Sequence, residues 1–173
     1  PTPGRRLAAA LSTGGAIALL GFLWIPELPP TGVERFAIRG RSHTSTPVAY
    51  PQTPPVGGPH APQFQDCGFY AAPIVTENAV HSLERGAVWI TYRPDLPPGE
   101  LDALRRLARR ERLVLVSPYP ELPVPVVASA WGRQLRLDSA DDSRLGRFVR
   151  IFQNGLQAPE RGRECSGGIG TPR

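Results

Sequence analysis

The spacing of apolar and polar residues from residue 87 onward predicts short strands alternating with helices. Residues 87–93 (AVWITYR) alternate apolar with polar positions and are rich in β-branched and aromatic side chains, which predicts a strand with one buried face. Residues 95–110 carry leucines at helical spacing and predict an amphipathic helix. Further strands are predicted at 113–117, 124–131 and 134–137, and a second helix at 141–152. This order predicts an α+β fold: a small antiparallel or mixed sheet with two packed helices.

A long uncharged stretch, Leu7 to Ile25, precedes these elements. At about 1.5 Å per helical residue it is just long enough to cross a hydrocarbon core of about 30 Å. Trp24 stands where an interfacial aromatic residue is common, and the basic flank 1–6 predicts a cytoplasmic N-terminus with the rest of the chain outside. A single transmembrane helix is therefore expected at 7–25, in the cell membrane. A cleaved secretory signal is the alternative.

Proline and glycine set the organisation of the remaining chain. The 173 residues include 21 prolines and 18 glycines, which predicts long irregular loops around a modest core. We assign 26–42 to a linker, 43–157 to an extracytoplasmic α+β domain and 158–173 to a glycine-rich tail. Within the proline-rich region, 47–50 is expected to be a short extended piece.

The net charge of +5 comes entirely from arginine, because the chain has no lysine. The densest basic run, Arg105 to Arg112, falls on the first predicted helix and its end. It indicates either a solvated helix face or a docking patch for an acidic partner or anionic lipid. Basic residues do not alternate with aromatic ones, so nucleic acid is not an expected partner. The lipid bilayer is expected through the N-terminal helix, with other subunits of a membrane complex as further candidates.

Two cysteines, Cys67 and Cys165, lie 98 positions apart. Thiols outside the cytoplasm tend to be oxidised, so a disulfide that pins the tail to the domain is expected. Two free thiols and ligation of a soft metal ion are the alternatives. A zinc site made of four cysteines and a disulfide-dense scaffold are both excluded by the count.

Four segments resemble one known bacterial family. They are GGPH (57–60), CGFY (67–70), ENAVHSLERG (77–86) and CSGGIG (165–170). In this order and spacing they resemble the domain of unknown function DUF3105 over residues 43–170. The resemblance implies a membrane-anchored protein and a His-Ser-Leu-Glu-His-Gly motif, in which Arg85 replaces the second histidine here.

The same resemblance implies a metal site. All three histidines of the chain, His43, His60 and His81, fall on positions where the family carries histidine. Imidazoles that share a face, with a nearby carboxylate such as Glu84, could hold copper or zinc. Arg85 cannot ligate a metal ion, and its charge is expected to weaken binding. The structural alternative is that these side chains only hydrogen-bond loops and pair with neighbours.

No complete catalytic set is evident from the residues. Ser82 lies beside His81 but not in a nucleophile elbow, and the SGGIG tail lacks the lysine and helix of a phosphate loop. We therefore expect a non-catalytic, membrane-anchored extracytoplasmic accessory or interaction domain, with a membrane complex as its candidate setting. The alternative is a copper- or zinc-binding or metal-handling protein that uses the histidine cluster.

Overall fold

The computed structural model describes residues 27–173. The predicted anchor, with Leu7, Trp24 and Ile25, and the flank before it lie outside the described residues. Among the residues that are described, no helix combines the length and the apolar character needed to span a bilayer. Membrane attachment therefore stays a prediction.

A six-stranded mixed sheet forms the centre of the fold. Its strands in chain order are β1 (Glu34–Arg35), β2 (Gly68–Phe69), β3 (Val88–Tyr92), β4 (Val114–Pro118), β5 (Val126–Ala130) and β6 (Arg133–Leu137). The spatial order is β1-β6-β5-β3-β4-β2. β3 runs parallel to β4, which in turn runs parallel to β2, and the other neighbours are antiparallel. The α+β prediction with a mixed sheet is thus confirmed, and β1 lies within the segment predicted as linker.

Three helices cover the two faces of this sheet. They are α1 (Thr76–Glu84), α2 (Pro98–Arg110) and α3 (Ser143–Phe152). The buried residues of α2 and α3 share one core with alternate residues of the central strands, whereas α1 packs in a second core. α2 is the crossover between parallel strands β3 and β4, a connection that needs a dozen or more residues.

Strand β3 shows how the two cores are divided. Val88 and Ile90 face the α2–α3 side, and Trp89 between them faces α1 together with Leu115 of β4. All five residues of β3 are buried. The prediction of one buried face was therefore wrong. Thr91, the polar position that suggested exposure, is buried because its hydroxyl donates to the carbonyl of Val127.

Two further expectations are corrected by the structure. Residues 27–173 form three helices where the sequence predicted two; α1 was missed because it buries polar residues that break the apolar stripe expected of a surface helix. Residues 47–50 form no strand. The amide of Val48 there donates to the Glu77 carboxylate at 3.0 Å, so a side chain takes the bond that a neighbouring strand would have accepted.

A disulfide joins Cys67 and Cys165, whose Cα atoms are 5.3 Å apart, as expected from the sequence. The amide of Cys67 also donates to the carbonyl of Cys165 at 2.8 Å. The tail then continues along the loop that precedes β2, where Ile169 forms a bridge with Gln65. The C-terminal segment is therefore held beside α1 by covalent and backbone contacts together.

Candidate metal centre

Helix α1 carries two of the four predicted ligands. His81 and Glu84 lie three residues apart and therefore on one face of the helix. Both are nearly inaccessible, at 6% and 3% exposure. The helix ends at Glu84, and Gly86 turns the chain away: its φ of +100° suits glycine, its amide donates to the Leu83 carbonyl, and the Ala87 amide donates to the Ser82 carbonyl. This ending fixes the last turn, which presents Glu84.

The other two ligands come from loops that are joined to each other. His43 and His60 form an isolated bridge, in which the amide of Thr44 donates to the His60 carbonyl and the amide of His60 donates to the Ser42 carbonyl. The bridge places the two imidazoles side by side. His60 is fully buried, and His43 is exposed.

The three imidazole rings converge on one point. Their centroids are 5.1 Å apart for His43 and His60, 5.1 Å for His43 and His81, and 4.8 Å for His60 and His81. One ligand atom from each ring and one Glu84 oxygen all lie within 4.8 Å of one another. Tetrahedral ligands about 2.05 Å from a metal ion are about 3.3 Å apart, so the cluster needs to contract by up to about 1.5 Å around an ion.

Backbone carbonyls orient the two buried rings. His60 Nδ1 lies 2.8 Å from the Gly58 carbonyl oxygen, and His81 Nδ1 lies 2.8 Å from that of Ala61. A carbonyl only accepts, so each Nδ1 carries the hydrogen. In the neutral ring, Nε2 is then the free donor atom, as in histidines that ligate metal ions with the second nitrogen held by a carbonyl. Burial lowers the pKa of His81, which favours this neutral form against the smaller opposing effect of the Ala61 hydrogen bond.

Glu84 makes the most unusual contact of the cluster. Its Oε2 lies 3.0 Å from His60 Nε2, and both side chains are almost wholly inaccessible. In the neutral tautomer fixed by Gly58, these two atoms are both hydrogen-bond acceptors, and Nε2 has no hydrogen-bond donor among the described residues. Two buried acceptors at this separation need a cation between them, either a proton or a metal ion.

Arg85 does not enter the cluster. Its guanidinium donates to the Glu164 carbonyl and stacks on Phe64, with its Cζ 3.9 Å from the ring centroid. Phe64 in turn packs against His81, with ring centroids 5.8 Å apart, so the expectation that the Arg85 charge weakens metal binding stays a prediction. Arg85 still acts at a distance, as one of the smaller influences that lower the pKa of His81.

Arg41 supplies a second charge near the cluster, and the sequence did not point to it. Its Nη1 lies 3.4 Å from Glu84 Oε1, and its side chain is 60% exposed. The only signal in the sequence is its position two residues before His43, since side chains two apart in extended chain leave on the same side. Trp131, at the β5–β6 turn, packs edge-on against His60 with ring centroids 6.1 Å apart.

Polar side chains of α1 hold the loop that carries Ala61. Asn78 donates to the Gln63 carbonyl at 2.6 Å, and the Ser82 hydroxyl donates to the Gln65 carbonyl at 2.7 Å and accepts from its amide at 3.0 Å. Ser82 is thus fully engaged with backbone groups, which gives it a positioning role. These hydrogen bonds fix the loop beside α1, where the Ala61 carbonyl accepts from His81 Nδ1.

The chain is thus an α+β domain with one internal disulfide and a cluster of three histidines and a glutamate. The family model described as "Protein of unknown function (DUF3105)" matches residues 42–167, and the protein belongs to this family. The matched region contains all four cluster residues and both cysteines. No curated protein and no solved structure matches the chain.

Proposed function

We propose that this protein binds one divalent transition-metal ion, copper or zinc, through His43, His60, His81 and Glu84. The observation that carries the proposal is the 3.0 Å approach of His60 Nε2 to Glu84 Oε2 in the buried centre of the cluster. A metal ion satisfies both acceptors at once, and His81 adds a third ligand with the same tautomer. Imidazole with one carboxylate suits copper and zinc better than the hard cations calcium or magnesium.

The arrangement supports binding or handling of the ion more than catalysis on it. Among the described residues, the only buried carboxylate and imidazole side chains are the ligands Glu84, His60 and His81 themselves. His43, the exposed ligand, offers the ion a route in from solvent without an opening of the core. As part of the same proposal, the domain acts outside the cytoplasm and is anchored by 7–25. The disulfide supports this location, because such bonds persist in oxidising compartments.

The test compares the 173-residue chain with its His43→Ala variant by calorimetric titration with Zn²⁺ and Cu²⁺. His43 is exposed and its bridge with His60 uses only backbone atoms, so the variant is expected to fold. Loss of partners that merely support a ligand costs about 10–100-fold in metal affinity, so loss of a ligand is expected to cost at least about 100-fold.

Ser45→Ala is the matched control, since Ser45 is an exposed residue of the same loop. One-to-one binding by the wild type and by Ser45→Ala, weakened in His43→Ala, supports the proposal. Equal affinities in all three proteins would refute it, as would no binding in any of them. The accessory or interaction role would then be the remaining proposal.

A further inference from the structure

Arg41 is a charged residue that contacts the proposed metal site without being one of its ligands. Its guanidinium reaches a carboxylate oxygen of Glu84 from the solvent side, 3.4 Å away, while the other oxygen faces His60. Glu84 is thus placed between an exposed cation and a buried imidazole. An ion bound to Glu84 and the histidines would lie within a few Å of this guanidinium.

We infer that Arg41 tunes the affinity of the site by acting as an internal cation that competes with the metal ion for Glu84. In the metal-free protein the guanidinium balances the charge of the buried carboxylate. Once an ion is bound, the same guanidinium repels it and makes release easier. This inference rests on the proposed metal binding and adds a residue that ligates nothing.

The position of Arg41 lets it move without disturbing the fold. Its side chain is 60% exposed, and within residues 27–173 it forms a hydrogen bond and ion pair with Glu84 alone. The guanidinium can therefore swing into solvent when the carboxylate turns to a metal ion, whereas Arg85 is held by Glu164 and Phe64.

The expected size of the effect is modest because Arg41 is exposed. A unit charge and a divalent ion about 5 Å apart, in a water-like dielectric and with partial screening by salt, change affinity by about 3- to 10-fold. Arg41→Ala is therefore expected to bind Zn²⁺ about 3- to 10-fold more tightly than the wild type at an ionic strength of about 0.01 M. Arg41→Lys, which keeps the charge, is expected to stay within about twofold of the wild type.

Salt separates this effect from a change in structure. At an ionic strength of about 1 M the screening length falls to about 3 Å, so the advantage of Arg41→Ala should shrink to less than about twofold. The matched control is Arg109→Ala, which removes an exposed positive charge from α2 on the opposite face of the sheet. Its affinity should equal that of the wild type at both salt concentrations.

The measurement is titration of all four proteins with Zn²⁺ against a competing chelator at both ionic strengths. Arg41 has no tuning role if Arg41→Ala and wild type bind equally at low salt, if the gain persists at high salt, or if Arg109→Ala shows the same gain. Binding by Arg41→Ala alone would support the tuning role while refuting metal binding by the wild type. Absence of binding in all proteins would overturn both.

Discussion

The buried pair of Glu84 and His60 gives the sharpest test of how the cluster works. Glu84→Gln keeps the size of the side chain and removes its charge. If the 3.0 Å contact is a structural ion pair, loss of one partner leaves an uncompensated buried charge, which typically costs about 3–5 kcal/mol. If His60 is neutral and the site is built for a metal ion, the substitution should not lower the free energy of unfolding.

In the neutral case the new amide can donate to His60 Nε2, which otherwise faces an acceptor. A net hydrogen bond contributes about 1 kcal/mol, and the ion pair that is lost is with Arg41, whose side chain is 60% exposed and therefore partly screened by water. In the presence of a chelator, we therefore expect the free energy of unfolding of Glu84→Gln to equal or exceed that of the wild type by up to about 1 kcal/mol. Zinc affinity should fall by at least about 100-fold because the anionic ligand is gone.

Urea unfolding at neutral pH, with and without chelator, measures the free energy of unfolding. Calorimetric titration measures the zinc affinity. Glu77→Gln is the matched control, since Glu77 is on the same helix and binds only the Val48 amide. A loss of about 3 kcal/mol or more in chelator would show that the pair is ionic and structural, and would refute the neutral case on which this prediction is built.

Two more predictions concern the stability of the domain. Asp142→Ala should cost about 1 kcal/mol, because Asp142 caps α3 by accepting from the Arg144 amide. Hydrogen bonds from the Arg144 guanidinium and amide hold the Asp142 pKa below its usual value of about 3.9. The stability that the ionised Asp142 side chain adds is therefore fully present above that value and is lost as the pH falls through the lowered pKa. The free energies of unfolding of Asp142→Ala and wild type, measured with urea, should become equal in strong acid. A difference that does not change with pH would contradict the capping role of Asp142. Reduction of the disulfide should lower the free energy of unfolding by about 4–5 kcal/mol, since the closed loop spans 98 positions. Urea unfolding with and without reductant measures this change, and the Cys67→Ser and Cys165→Ser double variant, which has no disulfide, is the control. A change below about 1 kcal/mol would show that the disulfide does not stabilise the domain as proposed.

The regular core was predictable because its sequence follows simple periods. The leucines of α2 and the apolar positions of α3 recur at helical spacing, and the structure places both helices within a few residues of the expected bounds. α1 has no such stripe, since Asn78, His81, Ser82 and Glu84 are all buried. Their burial depends on loop carbonyls distant in sequence, which no local pattern reveals.

The cluster was predictable in its members but not in its surroundings. The three histidines stood out because the chain has no others, and the resemblance pointed to their positions. The direction of Arg85 depends on a carbonyl of the tail at Glu164, 79 residues away, and the contact of Arg41 with Glu84 spans 43 residues. Such contacts follow from tertiary packing alone.

The disulfide divides the four ligands of the cluster between two parts of the chain. The bond closes a covalent ring from Cys67 to Cys165, and all three helices and the four long strands lie inside that ring. His81 and Glu84 lie inside it, whereas His43 and His60 come from the proline-rich segment outside. An ion held by all four would therefore add a cross-link between the covalent ring and the N-terminal segment, which the β1–β6 pairing already joins. Removal of the ion would leave this segment held by the β1–β6 pairing and by the hydrogen bonds that Glu77, Asn78 and Ser82 make to its backbone.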